Sequence, residues 1–208
     1  MIVTSYDELK TEIANYIDRT DLTAEIPGFI RLAEIRMGRK LRLRDMEARL
    51  TLGTVANQRW YGLPDRYKAM RHFQLNTSPI TDLEYLTPQL FFQKWAGSNS
   101  GKPVVYTIFG DEFALGPFPD GIYELEMFTH QRFAFLSDGN PTNWLITDGP
   151  DVLYYATLME ANLFIRDTEA TAIWKKAYDV GIYDITRDNA LDRHSGGALM
   201  AVPDFNRY

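Results

Sequence analysis

The chain has 208 residues, of which 45% are hydrophobic and 24% charged, and its formal net charge is −6. These values are typical of a globular protein with a sizeable core, and the absence of cysteine excludes disulfides, thiol nucleophiles and cysteine-based metal sites. An acidic chain disfavours broad affinity for nucleic acid, which depends on neutralising phosphates, and no apolar run reaches the roughly 18 residues of a membrane span.

The first 48 residues predict two helices. Ser5 precedes Glu8 by three residues, which is the spacing of a capping box, and Leu9, Ile13 and Ile17 then recur on one helical face. A second helical stripe follows, formed by Ile26, Ile30, Ala33, Met37 and Leu41. We therefore expect a helical hairpin at the start of the chain.

The period of the apolar residues changes to two from about Arg49, which predicts β-strands. Gly110-Asp111 and Pro119-Asp120-Gly121 supply turn signals, so we predict an antiparallel meander. Thr87-Pro88 has the form of an N-cap followed by the first residue of one short helix.

The start MIVTSYDELK lacks the basic-then-apolar pattern of a secretory signal.

Helical spacing returns in the C-terminal third. One stripe comprises Val152, Ala156, Met159 and Leu163, and the next comprises Ala170, Trp174, Tyr178 and Ile182. Asp167 and Thr168 are predicted to be the helix breaker and the helix cap between these two helices. The predicted fold class is α+β, with a four-helix bundle from residues 1–48 and 144–193, an inserted antiparallel β-rich region over 49–143, and an extended C-terminal arm over 194–208.

The stretch LSDGNPTNWLITDGPD, residues 136–151, admits two interpretations. As a catalytic loop it would use Asp138, Asp148 or Asp151. As a structural joint it would place turns at Asn140-Pro141 and Pro150, a cap for the next helix at Asp148, and a plug between sheet and helices at Trp144. No base, nucleophile or metal ligand accompanies the aspartates, which favours the joint.

Motifs for chemistry are missing from the sequence. The three histidines are scattered, no G-x-S-x-G elbow is present, and GSNSGKP at 97–103 has the wrong spacing and flanking elements for a phosphate-binding loop. We therefore predict no catalytic residue, no cofactor, no metal site and no enzyme activity.

A basic segment is the most prominent charged feature. Arg31, Arg36, Arg39, Lys40, Arg42 and Arg44 surround a lone Glu34. These cations could contact DNA phosphates, acidic residues of a neighbouring subunit, or water. Residues 137–208 hold 11 acidic and 6 basic side chains, which favours a neighbouring subunit.

Our hypothesis for an interface uses three acidic positions and two aromatic anchors. Arg36, Arg39, Lys40, Arg42 and Arg44 would face Asp179, Asp184 and Asp188 of another copy. Phe205 and Tyr208 in the C-terminal arm would dock on another chain.

The order of several segments resembles a known family. The segments are RTDLTAEIPGFIRLAEIRMGRKLRLRDME, LEYLTPQLFFQ, YTIFGDEFALGPFPDGIYELEMFTH, LSDGNPTNWLITDGPDVLYYATLMEA and DTEATAIWKKAYDVGI. Together, from about Tyr6 to Arg187, the chain resembles the head-to-tail adaptor (connector) proteins of tailed bacteriophages, particularly short-tailed ones.

The resemblance implies a structural virion protein without a cofactor. Such proteins form a ring, usually of twelve copies, beneath the portal at the capsid–tail junction, and extend the DNA channel toward the tail. The implied partners are the portal, the tail (nozzle or tail tube) proteins and further copies, while DNA passes without specific binding and no membrane is involved. The implied location is the virion, with the host cytoplasm during assembly. The alternative is a sequence-independent DNA-binding module that uses the basic helix 31–44.

Overall fold

A computed structural model describes residues 3–97 and 99–193. Over these residues the mixed α+β class predicted from the sequence is confirmed. The helices are α1 (Tyr6–Ile17), α2 (Ile26–Lys40), α3 (Pro88–Trp95), α4 (Trp144–Asp148), α5 (Pro150–Phe164) and α6 (Thr168–Arg193). The strands are β1 (Glu47–Gly53), β2 (Trp60–Gly62), β3 (Tyr67–Leu75), β4 (Thr81–Asp82), β5 (Glu84–Tyr85), β6 (Ser100–Gly101), β7 (Val105–Phe109), β8 (Glu112–Gly116), β9 (Phe118–Pro119) and β10 (Glu124–Gln131).

The chain forms two compact units. The β unit is the continuous stretch Met46–Arg132. The helical unit combines the residues before position 46 with those after position 132. The arm predicted for 194–208 lies outside the described residues.

The β unit holds two four-stranded sheets with the orders β1-β10-β3-β4 and β2-β8-β7-β5. Its main core packs side chains from both sheets, among them Phe73 and Leu125 from the first and Phe113 and Leu115 from the second. Phe113 and Leu115 alternate with Ala114, which points to the other face of β8 and packs with Phe91 of α3. Thr87 is the N-cap of α3, as the sequence predicts.

The longer strands pair in antiparallel fashion, but the predicted meander is wrong. β10 lies between β1 and β3, so neighbours in the sheet are far apart in sequence. β10 has five buried residues, which suits a central strand, whereas β1 is half-buried or exposed along its length and forms an edge. Two short pairs, β5 with β7 and β6 with β9, are parallel.

The start of α1 shows a modified capping box. Ser5 Oγ accepts a hydrogen bond from the Glu8 backbone N–H at 3.3 Å, as predicted. The Glu8 carboxylate accepts instead from the backbone N–H and the hydroxyl of Thr4, each at 2.7 Å. These bonds lower the pKa of Glu8. Both arrangements satisfy N–H groups that precede or begin the first helical turn.

α5 is the central helix of the helical unit, and a simple four-helix bundle is not supported. α5 packs against α1, α2, α4 and α6, and it is buried on almost every side. The described part of this unit holds five α-helices, because residues 144–148 form the short α4 before α5 begins. Leu163, which the sequence places on the buried stripe, is 56% exposed near the end of α5.

α6 packs closely on α5 at one point. A Cβ atom built at Gly181 would lie 2.5 Å from Cγ2 of Val152, so only glycine fits there without a shift. Nearer the start of α6, the ring of Trp174 stacks on Tyr155, and its indole N–H donates to the Tyr16 hydroxyl at 3.1 Å. The predicted stripe on α6 is correct at Tyr178 and Ile182, which are both buried.

Candidate subunit interface

The predicted basic segment lies on α2 and the loop that follows, and two of its cations pair within the chain. Arg36 Nε lies 2.5 Å from Oε1 of Glu160, a carboxylate on α5 that is 7% exposed. Lys40 Nζ lies 3.4 Å from Oδ1 of Asp179 and 5.0 Å from the ring centroid of the buried Tyr178. The structure therefore brings together Lys40 and Asp179, two of the predicted interface residues, inside one chain.

The remaining cations of the basic segment have different surroundings. Arg39 is exposed in the last turn of α2, where a positive charge suits the helix dipole. Arg42 donates from its guanidinium to the carbonyl of Leu41 at 3.0 Å. The backbone N–H of Arg44 donates to Oδ1 of Asn189 at 2.8 Å, so α6 holds the loop after α2.

The predicted acidic residues all lie on α6. Asp179 is also 3.9 Å from the ammonium of Lys175, one turn earlier. Asp188 lies 3.7 Å from Arg187 Nε, and Asp184 is exposed. Phe205 and Tyr208 lie outside the described residues.

The outward side of α6 carries two shallow grooves that meet at Lys176 and Val180. We define the acidic flank by the groove of about 600 Å³ that is lined by Asp151 and Tyr155 of α5 and by Ile173, Lys176, Ala177, Val180, Gly181 and Asp184. We define the basic flank by the groove of about 610 Å³ that is lined by Ala172, Lys175, Lys176, Asp179, Val180 and Tyr183. The sequence predicted Asp179 and Asp184 of these grooves as interface residues, but it did not reveal the exposed apolar residues beside them.

Two of the predicted joint residues, Trp144 and Asp148, line a cleft of about 310 Å³ within the helical unit. Asp148 is the last residue of α4 and does not cap α5, so that part of the prediction is wrong. The N-cap of α5 is Gly149, without a side-chain bond, and Pro150 follows as the first helical residue. Trp144 is half-buried at the start of α4.

The other two joint residues belong to a segment, residues 133–143, that lies on α1 and α2. The Pro141 carbonyl accepts from the Tyr6 N–H at 2.9 Å. The Asn140 side chain donates to the Phe135 carbonyl at 2.8 Å. The Phe135 ring centroid in turn lies 3.3 Å from the guanidinium carbon of Arg31. Residues 133–143 are thus attached to the first two helices by backbone and side-chain contacts.

Glu34 is the buried centre of these contacts, and sequence reasoning missed it. Its Oε1 accepts from the Leu136 N–H at 2.9 Å and from the Asn143 side chain at 2.8 Å. Its Oε2 is buried without a hydrogen bond from any described residue. Burial raises the pKa of Glu34 to about 7, although these two hydrogen bonds and the charge of Arg31 act in the opposite direction. The sequence did contain one signal of this role, because Glu34 is the only acidic residue in the basic segment.

Asn143 connects Glu34 with the helix that follows. Its Oδ1 accepts from the Ile146 N–H at 3.2 Å, which makes Asn143 the N-cap of α4. Its side-chain amide donates to Glu34 and also to the Ala134 carbonyl at 2.9 Å. One side chain therefore joins α2, the segment 133–143 and α4.

The aspartates of the catalytic interpretation occupy separate places. Asp138 is exposed and lies 3.0 Å from Lys10 Nζ. Asp148 lines the cleft beside Trp144, whereas Asp151 lines the acidic flank. Over residues 3–97 and 99–193, no group of three or more His, Cys, Asp or Glu side chains is placed to hold a metal ion. Among the same residues, none of the helices combines the length and the apolar character needed to cross a membrane.

Comparison with known proteins assigns the chain to a class of structural virion proteins. The family model of the SU10 adaptor protein matches residues 4–201, which is nearly the whole chain. The chain therefore belongs to the SU10 adaptor protein family, a family of bacteriophage adaptors. No curated protein matches the sequence.

Proposed function

We propose that this protein is a head-to-tail adaptor of a short-tailed bacteriophage. It forms a ring, of twelve copies as in the proteins it resembles, beneath the portal, and it extends the DNA channel toward the tail. The observation that carries this proposal is the family match over residues 4–201. The role is structural, so the chain needs neither a catalytic site nor a cofactor.

The charge distribution supports a channel component more than a DNA-binding module. A protein with a net charge of −6 per copy has no overall attraction for phosphates, so DNA could slide past it without being held. The module would need the cations of α2 free to neutralise phosphates. Arg36 and Lys40 are instead within ion-pair distance of Glu160 and Asp179 in the same chain.

The two units suit different contacts in this proposal. The helices pack beside those of neighbouring copies, and the β unit contacts the nozzle or tail tube proteins that are added later. The residues after Arg193, with Phe205 and Tyr208 as anchors, reach the portal or an adjacent copy. A chain that ends at Arg193 should therefore attach to portal-bearing heads with reduced occupancy, and undiminished occupancy would contradict this role of the arm.

Electron microscopy of the protein mixed with isolated portal rings tests the proposal. We expect a second tier beneath the portal, with the twelve-fold symmetry of the ring. A monomer that ignores the portal would overturn the adaptor role. Duplex DNA binding by the free protein, measured as a function of salt, addresses the alternative, because tight binding with a steep salt dependence would indicate a DNA-binding module.

A further inference from the structure

α6 leaves a large apolar surface uncovered in the single chain. Four of its large apolar side chains are more than half exposed: Ile173 at 65%, Val180 at 56%, Leu191 at 55% and Tyr183 at 54%. Isolated exposed apolar residues are common, but several on one side of one helix indicate an interaction surface. The opposite side of α6 buries Tyr178 and Ile182, so the exposed residues are not needed for packing within the chain.

The two flanks of α6 differ in charge. The acidic flank has the carboxylates of Asp151 and Asp184 against the single ammonium of Lys176. The basic flank has the ammonium groups of Lys175 and Lys176 against Asp179, which also lies 3.4 Å from Lys40 of α2. The flanks are therefore complementary to each other, and neither is complementary to itself.

We infer that α6 is a contact helix between copies and that the basic flank of one copy packs against the acidic flank of the next. This inference rests on the proposed ring and names the surfaces that build it. Two different but complementary surfaces on each copy give a heterologous contact, in which one surface of each copy meets the other surface of the next copy. Such a contact repeats around a closed ring. A self-complementary surface would instead give a two-fold dimer. Val180 lies at the boundary of both grooves. In the ring it is shielded from water by the neighbouring copies on its two sides.

Charge reversal on one flank at a time tests this arrangement. Lys175→Glu changes only the basic flank, and Asp184→Lys changes only the acidic flank. We expect each variant alone to raise the concentration needed for half occupancy of portal rings by roughly tenfold or more, because like charges then meet at every contact. Lys94→Glu, an exposed reversal on α3 outside both flanks, is the matched control and should assemble normally.

Mixing the two variants is the decisive experiment. In an equal mixture the copies can alternate around the ring, so that the two acidic flanks of the Lys175→Glu copy meet the two basic flanks of the Asp184→Lys copy. Every contact then joins opposite charges again. Occupancy should return to within about threefold of the unmodified protein, and the double variant Lys175→Glu/Asp184→Lys should behave in the same way. Circular dichroism and urea unfolding establish that each variant is folded.

The outcomes separate this inference from the proposed function. If the unmodified protein forms no tier on the portal, the proposed function fails. If it does, and both single variants assemble as well as the unmodified protein, the assignment of the α6 flanks fails while the adaptor role stands. Loss of assembly by the single variants without recovery in the mixture would also overturn the flank-to-flank contact.

Discussion

Replacing Glu34 by glutamine should change how the stability of the protein depends on pH. The carboxylate is fully buried on α2, with hydrogen bonds from Leu136 and Asn143 to one oxygen only. Burial without full compensation disfavours the charged form and raises the pKa of Glu34 to about 7, from 4.5 in the unfolded chain. Glutamine resembles the protonated acid in shape, and its carbonyl oxygen can accept the same two bonds.

The magnitude follows from linkage between protonation and folding. Between the two pKa values the folded chain holds one proton more than the unfolded chain, so its stability falls as pH rises. The contribution is fully present below the unfolded pKa and is lost as pH rises through about 7. Between pH 5 and pH 8 this loss amounts to about 2 to 3 kcal/mol for the unmodified protein. Glu34→Gln has no such proton to lose.

The assay is urea unfolding of both proteins at a series of pH values. The free energy of unfolding of Glu34→Gln, minus that of the unmodified protein, should increase by about 2 to 3 kcal/mol from pH 5 to pH 8. Using the difference removes the contributions of all other titrating groups. Glu169→Gln, which removes an exposed carboxylate on α6, is the control. Parallel pH profiles for Glu34→Gln and the unmodified protein would refute the reasoning.

Three further substitutions test the packing and the caps of the helical unit. Gly181→Ala should lower the free energy of unfolding by about 1 to 3 kcal/mol, because its methyl group would overlap Val152, whereas Gly28→Ala in the open face of α2 should be neutral or stabilising in the same urea titration. Asn143→Ala should cost about 1 to 3 kcal/mol by removing the cap of α4 and a donor to the buried carboxylate of α2, and equal stability would contradict the network. Asp167→Ala removes the oxygen that accepts from the third N–H of α6, and thermal unfolding should show a loss of about 1 kcal/mol.

Local patterns in the sequence predicted the helices well and their ends less well. The apolar spacing of α1 and α2 identifies the faces that are buried, and Ser5 and Thr87 are the caps that their residue types suggest. The prediction that Asp148 caps α5 is wrong because the five-residue helix α4 ends there. A helix this short has no apolar stripe by which the sequence could reveal it. Its true cap, Asn143, was hidden among several turn-forming residues.

Contacts over long sequence separations could not be predicted. The order β1-β10-β3 depends on which strands meet in three dimensions, and alternation of apolar residues does not contain that information. In the candidate interface, the sequence supplied the charges of Lys40 and Asp179 but not their pairing across 139 residues. That the other predicted cations meet a neighbouring copy stays a prediction.

The interrupted helical unit has a consequence for synthesis on the ribosome. α1 and α2 are translated first, but α5, on which α2 packs, follows after about a hundred further residues. At typical elongation rates that interval lasts roughly 5 to 20 seconds. The β unit is continuous in sequence and is complete by residue 132. It can therefore fold during translation. The apolar stripe of α2, including Ile30 and Met37, lacks its packing partner α5 during this interval and is accessible to chaperones.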